Sequence, residues 1–306
     1  MNSVLAGAIA GIAILFLLAA PTTLLSATGE DPAFDAFRRG EFLTALSEAE
    51  KAAARGEASA HTLIGRIHAD GLGVAQDFTK AAKAYENGAR LGDMEAQFAL
   101  GLLYAEGRGV GKDRKRAAEL FDQAANAGHI SAQYNLALIY IEGRARKRDL
   151  KRAADLLQKA AKSGHAHAQY DLGNLYALGR GVAKDEGKAA HWTGRAAKSG
   201  LPNAELEYAI MLLNGRGVAK DAATAAGYLQ TSAHKGNPVA QNRLANLYAR
   251  GLGVKIDAKE AIKWHLLARE AGVSDFNLDL LMGSMSDTER DEATAAAAKW
   301  RADNAR

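Results

Sequence analysis

Residues 93–128 read DMEAQFALGLLYAEGRGVGKDRKRAAELFDQAANAG, and their pattern returns along most of the chain. Glycine closes this stretch and recurs every 36 residues, at Gly56, Gly92, Gly128, Gly164, Gly200, Gly236 and Gly272. A second glycine series and an aspartate series keep the same register: Gly71, Gly107, Gly143, Gly179, Gly215, Gly251, and Asp77, Asp113, Asp149, Asp185, Asp221, Asp257. The three series predict six repeats, at 57–92, 93–128, 129–164, 165–200, 201–236 and 237–272.

Each repeat is predicted to form two helices. In the third repeat, apolar residues recur at helical spacing between His129 and Glu142, and Gly143 then ends the helix. The series aspartate that follows is a good N-cap for the second helix, which carries a pair of small residues where helices must approach closely. Because one helix pair cannot bury its apolar face alone, the repeats are expected to stack into a curved all-α solenoid.

The repeated residues also resemble a known family. Its pattern is carried here by Ala96, Leu100, Gly101, Tyr104, Gly107, Gly109, Val110 and Asp113. This pattern is similar to the Sel-one-like repeat, a relative of the tetratricopeptide repeat. The resemblance implies a right-handed α/α superhelical solenoid. It also implies a bacterial adaptor or regulatory protein that binds other proteins, often in the cell envelope, without shared catalytic residues.

Three repeats depart from the pattern. The third has Arg144, Ala145 and Arg146 where the others carry the second glycine and the valine of the turn. His68 and Leu212 replace the tyrosine in the first and fifth repeats. Altered turns or looser packing are expected in these repeats.

Composition excludes several classes of protein. The chain of 306 residues is 48% hydrophobic and 24% charged, which excludes disorder, and it has no cysteine, which excludes disulfide scaffolds, thiol nucleophiles and cysteine zinc sites. The net charge of +4 is too small to indicate a nucleic-acid partner by itself.

The segments outside the repeats have separate predictions. Residues 30–56 and 273–306 are expected to be capping helices, and Ser286 to Glu289 reads as a capping box that opens a final helix through Trp300. Residues 1–29 contain no charged side chain, and residues 4–20 form an unbroken run of small and apolar residues. This segment predicts either a signal peptide, with cleavage preferred after Ala27 or Gly29, or an uncleaved membrane anchor. The protein is therefore expected to be exported, in the periplasm or anchored to the inner membrane facing it.

Three short motifs are candidate chemical sites. The turn from Gly107 to Lys112 lacks the spacing of a phosphate-binding loop. Ser232 and Lys235 have the Ser-x-x-Lys spacing of penicillin-recognising enzymes, which leaves an envelope enzyme or penicillin binder as an alternative function. Ser232 nevertheless occupies a small-residue position of the repeat, so the noncatalytic interpretation is favoured. His165 and His167 are one residue apart, which does not favour joint metal ligation on a helix, and no metal or cofactor is predicted.

A basic edge is a third functional hypothesis. It comprises Lys112, Arg114, Lys115, Arg116, Arg144, Arg146, Lys147 and Arg148, which stacking would bring together. The edge predicts an anionic ligand or surface, with an ordinary solvated edge as the alternative. Because it lacks the aromatic residues on which bases stack, nucleic acid is not expected.

The favoured partner is a protein or peptide bound in a concave groove that the first helix of each repeat lines, as the similarity to tetratricopeptide repeats implies. Two columns flank the repeat's leucine and predict the groove residues Phe98, Leu102, Tyr134, Leu138, Tyr170, Asn174, Ile210, Asn242 and Asn246. Aromatic area and amide groups suit an extended or helical protein segment. Ordinary packing between repeats is the alternative explanation of these columns.

Overall fold

The computed structural model describes residues 31–304, which form sixteen helices and no strand. The helices are α1 Pro32–Arg38, α2 Phe42–Ala54, α3 Ala58–Asp70, α4 Phe78–Arg90, α5 Met94–Glu106, α6 Arg114–Asn126, α7 Ile130–Glu142, α8 Leu150–Lys162, α9 Ala166–Leu178, α10 Glu186–Lys198, α11 Pro202–Asn214, α12 Ala222–His234, α13 Pro238–Arg250, α14 Ala258–Glu270, α15 Phe276–Ser284 and α16 Asp287–Asn304.

The predicted all-α repeat fold is confirmed. Helices α3 to α14 form the six repeats, in which odd-numbered helices are the first and even-numbered helices the second of each pair. Within each of the chain's two units, consecutive helices of the repeats pack on one another as in a solenoid. The chain divides into an N-terminal unit that ends at Asp149 and holds α1 to α7, and a C-terminal unit that begins at Leu150 and holds α8 to α16.

The turn inside each repeat follows from its glycine and its aspartate. The glycine that ends every first helix has a positive φ, between +65° and +80°. The series aspartate then caps the second helix in five repeats; the Asp113 carboxylate, for example, accepts the backbone N–H groups of Lys115 and Arg116 at 2.9 Å. In all six repeats the N–H of this aspartate donates to a carbonyl near the end of the first helix. This last bond uses only backbone atoms, which explains why His68 and Leu212 can replace the tyrosine.

The second glycine of the turn allows close contact between the backbone of one repeat and the second helix of the preceding repeat. A Cβ on Gly217 would lie 1.9 Å from the carbonyl oxygen of Glu186, the first residue of α10. A Cβ on Gly109 would lie 2.2 Å from the same atom of Phe78, which opens α4. Only a residue without a side chain permits this approach.

Small residues and leucines form the core. The alanine pairs of the second helices are buried: Ala81, Ala82, Ala117, Ala118, Ala153, Ala154, Ala189, Ala190, Ala225 and Ala226. The repeat leucine of the first helix is also buried, as Leu100, Leu136, Leu172 and Leu244. Alanine at the helix contacts lets the helix axes approach closely, so the leucines fill the remaining space.

Helices flank the repeats at both ends of the described residues. Helices α1 and α2 pack on each other, and α2 packs on α3. The capping box before α16 is present: the Glu289 carboxylate accepts the N–H of Ser286 at 3.0 Å, and Ser286 Oγ accepts the N–H of Glu289 at 3.4 Å. Helix α16 continues past Trp300 to Asn304, and the ring of Trp300 meets that of Trp264 edge-on at 5.7 Å.

Among residues 31–304, no helix is both long and apolar enough to cross a bilayer. The predicted signal peptide or anchor at residues 1–29 lies outside the described residues.

Candidate functional site

The predicted groove residues share one position on the first helices. All nine are partly exposed: Phe98, Leu102, Tyr134, Leu138, Tyr170, Asn174, Ile210, Asn242 and Asn246, which we call the first-helix face. The leucine between two of them, such as Leu100, is 3% exposed. In α5, α7, α9 and α13 the leucine therefore turns into the core, and the two flanking columns lie at the edge of the packed surface.

In the N-terminal unit the first-helix face is largely apolar. Phe98 stacks on the ring of His129 with centroids 4.3 Å apart and meets Phe121 at 5.7 Å. Leu138 of α7 lines a pocket together with Phe121. These contacts fix the orientation of Phe98 and leave apolar side chains partly exposed.

In the C-terminal unit the face is more polar. The Tyr170 hydroxyl is hydrogen bonded to Asn174, and burial raises the pKa of Tyr170 above its ordinary value. The amide nitrogen of Asn246 donates to the backbone carbonyl oxygen of Asn242 at 3.0 Å and to the Asp275 carboxylate at 2.9 Å. Asp275 is the N-cap of α15, so Asn246 holds the C-terminal helices in place and has no N–H left for a peptide.

Two histidines cap first helices. Nδ1 of His129 accepts the N–H of Ala132 at 3.1 Å, so the ring proton lies on Nε2 and is donated to Glu95 at 3.0 Å. This bond lowers the pKa of the Glu95 carboxyl. His165 accepts the N–H of Ala168 at 3.2 Å, and burial together with the nearby His167 lowers the pKa of His165 to about 4.

His165 therefore lies before its helix and not on one of its faces. The rings of His165 and His167 are 6.0 Å apart. Within the described part of the chain, no three His, Asp or Glu side chains come together as a metal site.

A glutamine on the first helix ties neighbouring helices together in four repeats. Gln97, Gln133, Gln169 and Gln241 each donate to a carbonyl in the last turn of the preceding helix, Ala89, Ala125, Ala161 and Ala233. The fifth repeat has Glu205 at this position, and a carboxylate has no N–H to donate. Lys235 compensates, because its ammonium group donates to Glu205 at 2.7 Å and to the carbonyl of Gly200 at 2.9 Å.

This pairing accounts for the Ser-x-x-Lys spacing. Ser232 is fully buried and its hydroxyl donates to the carbonyl of Pro202 at 3.4 Å. Lys235 is held by Glu205, whose side chain is only 4% exposed. A substrate cannot reach Ser232 in this arrangement, and the geometry gives no support to a penicillin-recognising site.

The basic edge is exposed except at Arg146, which is partly buried, and its two clusters meet at one place. Lys112 and Arg114 line a pocket of 320 Å³ together with Arg144. Two other members of the edge have acidic partners: Arg116 pairs with Glu119 at 2.9 Å, and Arg146 pairs with Asp122 at 3.7 Å.

The turn of the third repeat is looser than its counterparts. In the other five repeats, the residue after the helix-ending glycine donates its N–H to a carbonyl of the last helical turn, as Arg108 does to Leu103 at 3.1 Å. Among the described residues, the corresponding bond from Arg144 is not formed, although Gly143 still donates to Ile139 at 3.0 Å. The departure of the sequence from the repeat pattern at Ala145 predicts an altered turn. It does not predict the pocket that this turn lines.

Comparisons with known proteins agree with the fold. A Sel1 repeat protein from Oxalobacter formigenes superposes with a TM-score of 0.66 and 28% identity over 78% of this chain and 97% of that chain. A protective antigen of uropathogenic Escherichia coli strains, described as displaying an SLR fold, gives a TM-score of 0.58 and 26% identity over 89% of this chain and 68% of that chain. The comparison with curated proteins gave no significant match.

The paired helices and their partly exposed first-helix face define a helical-repeat scaffold. The chain belongs to the Sel1 repeat family, whose sequence model matches residues 58–93, 95–129, 130–165, 166–201, 202–237 and 238–273. Proteins built from this repeat are generally noncatalytic scaffolds for protein–protein interaction.

Proposed function

We propose that this protein is a noncatalytic adaptor of the bacterial cell envelope that binds a segment of a partner protein on its first-helix face. One observation carries the proposal: large apolar and amide side chains stay partly exposed while the leucines beside them in four repeats, Leu100, Leu136, Leu172 and Leu244, are buried. If these side chains served only to pack the core, they would be expected to be buried as well.

The chemistry of the face suits a polypeptide ligand. Phe98, Leu102 and Leu138 offer apolar area in the N-terminal unit. Tyr170 and Asn174 add hydroxyl and amide groups in the C-terminal unit, where they can bond to a peptide backbone. Helical peptides are recognised through apolar anchors, and extended peptides through main-chain hydrogen bonds together with side-chain pockets.

The location in the envelope rests on the sequence of the first 29 residues. The uncharged, apolar run at residues 4–20 has the composition of a signal peptide or an anchor. The absence of cysteine is compatible with an oxidising compartment, since no thiol is present to be oxidised.

The test is affinity capture with the tagged chain from an envelope fraction, quantified by mass spectrometry. The double variant Tyr134→Ala with Asn174→Ala should reduce capture of the main partner about tenfold while leaving the unfolding midpoint nearly unchanged. Lys83→Ala with Lys198→Ala changes two exposed residues of second helices and serves as the matched control. If the first variant instead loses several kcal/mol of stability with its capture, those residues belong to the core and the proposal fails.

A further inference from the structure

The pocket in the N-terminal unit has an apolar floor and a basic rim. Phe121, Leu138 and Ile139 contribute to the floor, and Lys112, Arg114 and Arg144 stand around it. Its volume of 320 Å³ is at the lower end of the range of about 300–1,000 Å³ found for small-molecule sites. The space suits one bulky side chain better than a large cofactor.

The pocket exists because the third repeat departs from the family pattern. In four other repeats, the second glycine of the turn lies against the first carbonyl of an earlier second helix, and Gly181, for example, would place a Cβ 2.1 Å from the oxygen of Leu150. The third repeat has Ala145 there, whose methyl group prevents the same approach to Arg114. Both Ala145 and Arg114 line the pocket, so the space opens where the turn and the helix would otherwise touch.

The valine of the turn is missing as well. Elsewhere this residue packs on the core, as Val110 does beside Leu120. Its counterpart in the third repeat is Arg146, whose guanidinium group pairs with Asp122 at 3.7 Å. The third repeat therefore lacks the apolar side chain that fills this position in its neighbours.

The charges around the pocket are only partly balanced. Two carboxylates also line it, Glu106 and Glu142, and Glu106 is paired with Arg108 at 3.3 Å. Across the residues that the structure describes, no ion pair or hydrogen bond joins the side chain of Lys112, Arg114 or Arg144 to an acid. A ligand with carboxylates next to an apolar group would complement both the rim and the floor.

We propose that this third-repeat pocket anchors one large apolar side chain of the partner segment, whose flanking residues are acidic. The inference rests on the proposed function, because Leu138 belongs both to the pocket and to the first-helix face. It adds what that function leaves open, the chemical character of the partner segment.

The test uses a fluorescein-labelled peptide with the core Glu-Glu-Phe-Glu-Glu and the purified full chain, followed by fluorescence anisotropy. Saturable binding is expected, and it should be lost when the phenylalanine is replaced by glycine or the glutamates by lysines. The variant Ala145→Gly with Arg146→Val restores the turn of the other repeats and keeps the three rim cations. It should bind at least about tenfold more weakly, because the turn then fills the pocket.

Two further variants separate the pocket from general positive charge. Arg114→Ala with Arg144→Ala removes exposed rim cations, and should weaken binding and reduce its dependence on salt. Lys83→Ala with Arg90→Ala removes two exposed cations of α4 and should leave the affinity within about twofold. Thermal unfolding of each variant checks that it is folded.

Equal affinity in the restored-turn variant, or no saturable binding up to about 1 mM peptide, would overturn the inference. The proposed function is tested independently by the Tyr134→Ala with Asn174→Ala variant. If that variant loses partner capture while the restored-turn variant retains it, the role of the first-helix face in binding is supported and only the pocket inference fails.

Discussion

At Gly217, two demands on one residue explain why the turn uses glycine. Its φ is +70°, and an added Cβ would lie 1.9 Å from a backbone oxygen of α10. Gly164 has a φ of +92°, but nothing lies within 4 Å of the position that a Cβ would occupy. Glycine is needed for its backbone conformation at both positions, and for the space it leaves only at Gly217.

Alanine substitutions should therefore differ in cost. Gly164→Ala should lower the free energy of unfolding by about 1–2 kcal/mol through backbone strain alone. Gly217→Ala should cost at least about 3 kcal/mol, because the turn must also move away from α10. Urea denaturation of both variants measures the difference, and equal losses would contradict the close approach.

Glu205 and Lys235 form a second residue-level pair. Lys235→Ala should destabilise the protein by about 1–3 kcal/mol, because it leaves the buried Glu205 carboxylate without its charged partner. The same substitution should cost much less in a Glu205→Gln background, where the glutamine can donate as its counterparts do. A double-mutant cycle measured by denaturation gives the coupling. Additive effects would show that Lys235 does not serve Glu205.

At the scale of the element, aspartate and histidine side chains at the starts of helices supply polar contacts that recur between repeats. Aspartates cap the second helix in five repeats, and His129 and His165 cap two of the first helices. The repeat register predicts such positions well, because each is set by contacts that recur in every repeat. It could not predict the contact of Asn246 with Asp275, because Asp275 lies outside the repeats, nor that Ala145 and Arg114 line a pocket.

The cap at His165 predicts a dependence of stability on pH. Its pKa in the folded protein is about 4, below the ordinary value of 6.5, so the unfolded chain binds more protons between these values. Stability should therefore fall as the pH is lowered from about 6.5 to about 4. His165→Asn keeps a capping side chain and cannot titrate, so its unfolding midpoint should fall less over this window. His167 is retained in both proteins, and an unchanged pH profile in the variant would contradict the assignment to His165.

At the scale of the whole molecule, the repeat helices within each unit pack mainly on their neighbours in sequence, and stability is expected to be a sum of local terms. The six-repeat fold was predictable from the sequence because three residue series repeat without insertion. The positions of the first-helix face were predictable from the sequence. Their contacts were not, because Phe98 stacks on His129 and Tyr170 is hydrogen bonded to Asn174. The third-repeat pocket required the structure, because the sequence gives the missing glycine and valine but not the space beside Arg114, Phe121 and Leu138.

Export is the prediction that concerns the chain as a whole. Residues 1–35 fused to a reporter that is active only outside the cytoplasm should give activity. N-terminal sequencing of the protein should find an end near Thr28 or Glu30, or an intact chain in the membrane fraction. A full-length product recovered from the cytosol would contradict the envelope location.

The most direct measurement of the central claim is photo-crosslinking in the living cell. A benzophenone amino acid is placed at Tyr134 or Tyr170 of the first-helix face, and at Lys83 or Lys198 on the second helices as controls. The proposed function predicts discrete adducts to one partner protein from the first-helix positions and none from the second helices. Adducts of equal yield from both sets, or no adduct from Tyr134 and Tyr170, would contradict it.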